Sequence, residues 1–424
     1  MEKDIYKKSR IIYIIEAALE YFISILVGGA YLARLTLELG LSDSVTGILS
    51  SLISIGCSFQ IVAIFLFGNR PAKRGVTLMH SINQLCFALV YFVPFFDLSK
   101  NMKVAVFVVL LLSGHVINNI VQSPKIHWYM SLVEDQKRGR FTAIKEIISL
   151  IGGMVFSLVM GSLMDMYEER GEIQRSFIVC GIALVVLMAT HTASLILSRE
   201  KPVRAQQTQG KKKLIAELVK DTSFLKIILV SVFWSIATHV STPFYGTYQI
   251  KELGFSMTFV SVLSTIYAIC RSCFSLPLGR YADRHSFAKM LNICFIVSML
   301  GFAVQAFTVP ENGKIFYTAY YMLYAVGMAG INSGSINLIY ERVSMEKRVC
   351  ALAFKNTLTG LVGFGTTLLA GMFVEYIQSS GNMLFGISLY AQQATSAISA
   401  VLVGGILVYL NTVVKKLPLA KDND

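Results

Sequence analysis

Residues 279–309 read GRYADRHSFAKMLNICFIVSMLGFAVQAFTV, a short basic segment followed by a long apolar one. No acidic or basic residue occurs from 290 to 309. Because a helix rises 1.5 Å per residue, about 20 apolar residues cross a hydrocarbon core about 30 Å thick. The segment therefore predicts a transmembrane helix with a charged loop at its start.

The same alternation of apolar runs and short polar breaks continues along all 424 residues. The chain is 54% hydrophobic and 15% charged, whereas a soluble protein has about 25% charged residues. Backbone groups in lipid must be paired within the protein, which favours helices. We expect an all-α membrane protein with twelve transmembrane helices, at residues 11–34, 43–67, 76–96, 104–128, 142–165, 176–198, 225–249, 257–278, 288–309, 315–338, 354–377 and 385–413.

The longest polar stretch, residues 199–224, divides six predicted spans from six. Shifting the sequence by 210 positions places Lys137, Lys145 and Gly153 on Lys347, Lys355 and Gly363, and Asp165 on Glu375. This match predicts an internal duplication with pseudo-two-fold symmetry. We expect an N-terminal six-helix bundle at 1–198, a cytoplasmic central loop at 199–224 and a C-terminal six-helix bundle at 225–424.

The basic residues predict the orientation of the chain. With both termini inside, roughly 27 of the 38 Lys and Arg residues lie in inside segments, as the positive-inside rule requires. No basic stripe with interleaved aromatic residues occurs, so nucleic acid is not an expected partner of this chain of net charge +13. We expect a multi-pass protein of the plasma (inner) membrane with cytoplasmic termini.

The loop between predicted spans 8 and 9 carries a family resemblance. Gly279, Asp283, Arg284 and Lys289 have the spacing of the signature loop of the major facilitator superfamily, and Ser286 stands where a second Gly is usual. Together with the span count, the long central loop and the repeat, the chain resembles this family over nearly its whole length. The resemblance implies a two-bundle transporter that alternates between inward-open and outward-open states.

The corresponding loop of the first half matches less well. Gly68, Lys73 and Gly75 fit the pattern, but Ala72 replaces the acid. In the family, the acid of this loop binds a neighbouring helix end and stabilises the outward-open state. By resemblance, the residues of this conformational latch are Gly279, Asp283, Arg284, Gly68 and Lys73.

Charged residues inside predicted spans mark candidate functional positions, because an ionised group at the bilayer centre costs about 2.5–3.5 kcal/mol or more. Glu16 and Glu20 share one face of span 1, and Glu20 lies about 14 Å from its inner end. Two ionised carboxylates repel each other, so one is expected to take up a proton. Glu20 is the first candidate for proton coupling or for binding a cationic substrate. The alternative is a structural ion pair with a base such as Arg271, which could instead hold an anionic substrate.

Further polar residues at mid-depth are candidates for substrate contact, since the resemblance implies that spans 1, 4, 7 and 10 line a central cavity. The alternative is hydrogen bonding between helices, or satisfied core histidines. His191 is expected to be structural, and Lys125 to reach the membrane interface. The candidates are His115, Asn118, Asn119, Gln122, His239, Tyr245, Tyr321 and Asn332.

Other classes of membrane protein lack support in the sequence. The chain has no HExxH motif, nucleophile elbow or Cys–His zinc spacing, so we expect no catalytic residue, no metal site and no cofactor. No filter-like segment indicates a channel. We expect a monomeric secondary active transporter that moves a small organic solute by alternating access, coupled to H⁺ or Na⁺. A multidrug or metabolite exporter and a lipid translocator of the same fold are the alternatives.

Overall fold

The computed structural model describes residues 5–66, 71–134, 137–201, 217–344 and 347–417, and nearly all of them are helical. Ten of the described helices are long and apolar enough to cross a membrane. The predicted all-α membrane fold is confirmed. Residues 202–216 of the predicted central loop lie outside the described residues.

The described residues form fourteen α-helices of five or more residues and one short hairpin of strands. The helices are α1 (Lys7–Leu26), α2 (Gly29–Glu38), α3 (Asp43–Ser58), α4 (Val62–Leu66), α5 (Ala72–Val90), α6 (Lys100–Ser131), α7 (Arg138–Glu169), α8 (Ile173–Leu197), α9 (Thr222–His239), α10 (Met257–Arg284), α11 (Phe287–Gln305), α12 (Gly313–Tyr340), α13 (Arg348–Ser379) and α14 (Ala391–Thr412). The antiparallel strands are β1 (Met383–Leu384) and β2 (Ile387–Ser388).

Predicted spans 2 and 3 are helical but are not among the ten apolar helices. In span 2, a 3₁₀ turn at Phe59–Ile61 separates α3 from α4. In span 3, α5 carries buried His80, Asn83 and Gln84. These polar groups lower the hydropathy of α5, and they show that one face of the helix turns toward protein rather than lipid.

Predicted span 7 is regular only in its first part. Helix α9 ends at His239, and the chain continues through a 3₁₀ turn at Thr242–Phe244 to a π-helical turn at Tyr248–Glu252. Pro243 has no N–H to donate and disfavours a helical residue before it, which explains the break.

Contacts divide the chain into two compact units, and each includes a short segment from the other half of the sequence. The first unit comprises residues 1–41, 55–208 and 255–261, and the second comprises 42–54, 209–254 and 262–424. The start of α3 therefore packs in the second unit, and the start of α10 packs in the first.

In the first unit, an acid holds the start of α10. The Asp165 carboxylate accepts the N–H groups of Met257 at 2.7 Å and Thr258 at 2.8 Å. A carboxylate at a helix N-terminus pairs otherwise unsatisfied donors and interacts favourably with the helix dipole.

In the second unit, the start of α3 is held by its own acid. Asp43 is buried and accepts hydrogen bonds from Gln378 Nε2 at 2.7 Å and Gln392 Nε2 at 3.1 Å. Lys251 lies 3.5 Å from the same carboxylate. Glu375, the repeat counterpart of Asp165, is exposed, so the two halves anchor these helices differently.

The duplicated helices agree with the sequence repeat. Helices α7 and α13 both have 32 residues, and their first residues, Arg138 and Arg348, lie 210 positions apart. This is the offset at which the two halves of the sequence match.

Close packing at Gly161 gives a stability prediction. A Cβ at Gly161 would lie 2.8 Å from the Met257 carbonyl oxygen, whereas one at Gly365 would meet nothing within 4 Å. We expect Gly161→Ala to cost about 1–3 kcal/mol through overpacking. Gly365→Ala should be neutral or slightly stabilising, because Ala is the better helix former. Thermal unfolding of the purified proteins in detergent measures both, and equal melting temperatures would contradict the close approach.

Candidate functional site

Five ionisable side chains from four helices meet inside the first unit. Glu16 and Glu20 come from α1, His80 from α5, Lys125 from α6 and His191 from α8. We call these five residues the charge cluster. The side chains of Glu16, His80 and His191 are 0% exposed, Lys125 is 2% exposed and Glu20 is 20% exposed.

Lys125 is the centre of the charge cluster. Its ammonium donates to Glu16 Oε1 at 2.9 Å, to His80 Nε2 at 3.1 Å and to Glu20 Oε2. An ammonium has three N–H donors, so all of its donors are used. The expectation that Lys125 reaches the interface is wrong, because the carboxylates of Glu16 and Glu20 hold the ammonium inside the protein.

The hydrogen bonds determine the tautomers of both histidines. His80 Nε2 accepts from Lys125, so its Nδ1–H donates to Asn83 Oδ1 at 2.8 Å. His191 donates its Nε2–H to Glu16 Oε1 at 2.7 Å. The His80 ring is therefore neutral, because one of its nitrogens accepts a hydrogen bond.

Two buried acceptors of the charge cluster lack a donor among the described residues. They are Glu16 Oε2 and His191 Nδ1. With neutral histidines, two carboxylates and one ammonium leave the cluster with one net negative charge. An unmatched charge with vacant lone pairs in a buried site is able to accept one proton.

Aromatic rings pack beside the charge cluster. Tyr13 and Tyr129 stack with centroids 4.1 Å apart, and Trp128 stacks on Tyr129 at 4.6 Å. The phenols of Tyr13 and Tyr129 lie close enough to Glu16 to interact with it electrostatically. The Lys145 ammonium of α7 lies 5.4 Å from the centroid of the Tyr13 ring. These rings exclude water from one side of the cluster.

The donor set of the charge cluster resembles that of a metal site. Glu16, Glu20, His80 and His191 each offer one atom within 4.8 Å of the others. However, the Lys125 ammonium hydrogen bonds with three of these four side chains. The position of a cation is thus taken by a side chain, and the arrangement suits a proton better than a metal ion.

The other candidates of the first unit lie along α6. His115 is buried against Phe87, with ring centroids 5.0 Å apart, and Asn119 donates to the His115 carbonyl oxygen within the helix. Asn118 Oδ1 and Gln122 Oε1 are buried acceptors without a donor among the described residues. These residues do not contribute hydrogen bonds to the charge cluster.

The candidates of the second unit are dispersed over several helices. His239 is satisfied, since Nδ1–H donates to the Ser235 carbonyl at 2.8 Å and Nε2 accepts from Ser54 at 2.6 Å. Tyr245 is buried and shares a hydrogen bond with Ser396 at 2.7 Å. Asn332 is exposed.

Arg271 and Tyr321 lie beside a group of aromatic rings in the second unit. Arg271 is half-buried and makes no ion pair with any acid in the described part of the chain. Its charge acts on the phenol of Tyr324. Tyr321 accepts a hydrogen bond from Gln249 Nε2 at 3.0 Å.

The residues of the predicted latch have different surroundings. Asp283 and Arg284 are exposed at the end of α10 and make no ion pair within the described ranges, and Gly279 has open space around it. Gly68 lies outside the described residues. Lys73 donates to the Ile196 carbonyl at 2.8 Å, and the Glu200 carboxylate accepts from the N–H groups at the start of α5.

The family model described as Major Facilitator Superfamily matches residues 14–364 and 236–421. The chain belongs to the major facilitator superfamily.

Solved structures agree with this membership at the level of the fold. A nucleoside transporter, NupG, is similar with a TM-score of 0.73 at 16% identity, covering 97% of this chain and 100% of that one. A D-xylose-proton symporter is similar with a TM-score of 0.68 at 13% identity, covering 94% of this chain and 97% of that one. An auto-inhibited POT family peptide transporter is similar with a TM-score of 0.69 at 11% identity, covering 98% of both chains. No curated protein matches the sequence.

Three members of the charge cluster in this superfamily protein were not candidates from sequence. The base that pairs with Glu16 and Glu20 is Lys125, and His80 and His191 complete the hydrogen bonds. A depth count could have found them. At 1.5 Å per residue, Glu16, His80, Lys125 and His191 all lie within about 11 Å of the predicted inner ends of their spans.

The Lys125 ion pairs give a stability prediction for the superfamily fold. Lys125→Met leaves the buried carboxylate of Glu16 and the partly buried carboxylate of Glu20 without their cation, so we expect a loss of about 3–5 kcal/mol. The triple variant Lys125→Met/Glu16→Gln/Glu20→Gln removes both charges as well and should recover much of that loss. Thermal unfolding of the single and triple variants measures the coupling. Equal melting temperatures for the wild type and Lys125→Met would show that the ion pairs contribute nothing.

Proposed function

We propose that the protein is a secondary active transporter that moves a small organic solute across the plasma membrane by alternating access, coupled to proton uptake at the charge cluster. The observation that carries the proposal is one Lys125 ammonium shared by two carboxylates, beside two atoms that lack a hydrogen-bond partner among the described residues, Glu16 Oε2 and His191 Nδ1. The proposal includes cytoplasmic termini and a monomeric protein.

The energetic reason for proton uptake is the cost of unmatched charge away from water. Each buried ion carries a penalty of several kcal/mol that a partner must offset. Lys125 offsets one of the two carboxylates, and one proton offsets the other. Because the groups interact strongly, that proton belongs to the whole cluster rather than to a single residue.

Glu20 is the proposed entry point for the proton. It is the only member of the charge cluster whose side chain exceeds 2% exposure. The groups that face it are Lys125 of α6, His80 of α5 and, one turn away, Glu16 of α1, with His191 beyond. A proton that arrives at Glu20 weakens its bond with Lys125 and lets the ammonium pair more fully with Glu16.

Protonation is thereby linked to helix packing. The charge cluster joins α1, α5, α6 and α8, so gaining or losing a proton changes the interactions among four helices at once. If one transport state favours the protonated cluster, the proton gradient shifts the population of that state. Uphill transport requires this differential preference.

A cation other than H⁺ is the second possibility for coupling, because the four acid and imidazole groups lie within 4.8 Å of one another. The Lys125 ammonium among them argues against it. Export of drugs or metabolites and lipid translocation remain alternatives of the same fold, and no described contact favours them over solute transport.

The coupling role of Glu20 is tested by Glu20→Gln, with Glu38→Gln as the matched control because Glu38 is an exposed glutamate at the end of α2, the next helix along the chain. The probe is the compound that raises the melting temperature most in a screen containing uridine, D-xylose and benzoate. In proteoliposomes with an imposed pH gradient, we expect Glu20→Gln to lose uphill accumulation but to retain exchange of labelled for unlabelled probe. Glu38→Gln should accumulate like the wild type.

Accumulation by Glu20→Gln at the wild-type level would remove Glu20 from coupling. Accumulation that follows an imposed Na⁺ gradient instead of the pH gradient would replace the proton with sodium. Movement of fluorescent phospholipid between leaflets, without flux of any probe, would favour lipid translocation.

A further inference from the structure

A group of five aromatic residues packs together in the second unit, and two of them, Tyr267 and Tyr324, lie near Arg271. We call it the aromatic wall; its residues are Trp234 of α9, Tyr267 of α10 and Tyr320, Tyr321 and Tyr324 of α12. Tyr267 and Arg271 are four residues apart on α10, so they share one helical face. Trp234, Tyr267, Tyr321 and Tyr324 are half-buried, so the wall offers ring surface that protein does not cover.

The rings of the aromatic wall are arranged for stacking. Tyr324 lies nearly parallel to Tyr320, with centroids 5.4 Å apart and planes at 20°, and nearly parallel to Trp234 at 6.3 Å and 19°. Tyr267 meets Tyr321 edge to face at 6.3 Å and 82°. A flat ring can stack on one plane and meet the edge of another in such an arrangement.

Arg271 supplies a charge without a counter-ion. Arg271 is half-buried within an apolar span and pairs with no acid in the described ranges. A permanent cation at that depth is unfavourable unless water or an anion faces it. A guanidinium is also the side chain best suited to bind a carboxylate through two parallel hydrogen bonds.

We infer that the second unit binds a flat aromatic monoanion, of the benzoate or indole carboxylate class, with its carboxylate on Arg271 and its ring on Tyr324 and Tyr267. That this anion is the transported solute rests on the proposed function. Its binding does not, because it needs only residues of the second unit. One proton taken up by the charge cluster offsets the single charge of such an anion, so the two sites together carry no net charge.

Binding to the purified protein tests the inference. The probes are benzoate and indole-3-acetate, compared with the uncharged benzyl alcohol and with cyclohexanecarboxylate, which has the acid but no aromatic ring. Ligand that binds only the folded protein raises its melting temperature by mass action, and the concentration dependence gives an apparent Kd. We expect the aromatic acids to bind about tenfold or more tightly than benzyl alcohol, and more tightly than cyclohexanecarboxylate.

Variants of Arg271 distinguish the effect of its charge on binding from an effect on folding. Arg271→Gln should weaken binding of the aromatic acids about tenfold or more and leave benzyl alcohol unchanged. Arg271→Lys keeps the positive charge but cannot form two parallel hydrogen bonds with a carboxylate, so its affinity for the aromatic acids should be intermediate. Arg280→Gln is the matched control, since Arg280 is exposed on the same helix. Size-exclusion chromatography confirms that each variant is folded.

Failure of either aromatic acid to bind the wild type, or unchanged binding by Arg271→Gln, would overturn the inference. If the acids bind through Arg271 but no pH gradient drives their uptake, the inferred binding site stands and the proton-coupled transport of these acids fails. If a pH gradient drives uptake of uridine or D-xylose and the acids do not bind, the coupling stands and the substrate class is wrong.

Discussion

The ammonium of Lys125, shared between Glu16 and Glu20 inside a bundle of apolar helices, is the interaction on which this account depends. Water is the normal partner of all three groups, and lipid supplies none. The protein therefore provides the partners itself, through His80 on one side and His191 on the other. The result is a set of hydrogen bonds in which Glu16 Oε2 and His191 Nδ1 lack a partner among the described residues, and at which we propose that one proton is taken up.

The shared ammonium connects the local geometry of α1 to the packing of the helices around it. Glu16 and Glu20 are one turn apart on α1, so a single ammonium reaches both. The stacked rings of Tyr13 and Tyr129 keep this part of α1 against α6. Because α1, α5, α6 and α8 each contribute an ionisable side chain to the cluster, a change in its charge state alters the interactions among these four helices.

The sequence predicted the fold well because hydrophobic run length is a local property. Span positions and the superfamily loop at Gly279 follow from residues close together in the chain, and the 210-residue repeat follows from comparing the two halves of the sequence. Glu16 and Glu20 were found for the same reason, since a helix places them on one face. Their partners were missed because Lys125 and His191 meet α1 only after the helices pack. Lys125 was wrongly expected at the interface, since its distance from the predicted end of span 4 was considered without the attraction of two buried carboxylates.

The most direct test of the central claim is a count of the protons that the reconstituted protein binds between pH 8 and pH 5. The comparison is between the wild type and the variant Lys125→Met/Glu16→Gln/Glu20→Gln, whose cluster carries no charge. The account predicts about one more proton per molecule for the wild type, with a protonated-carboxyl band in the pH-difference infrared spectrum. Equal proton counts and identical carboxyl bands in the two proteins would contradict it.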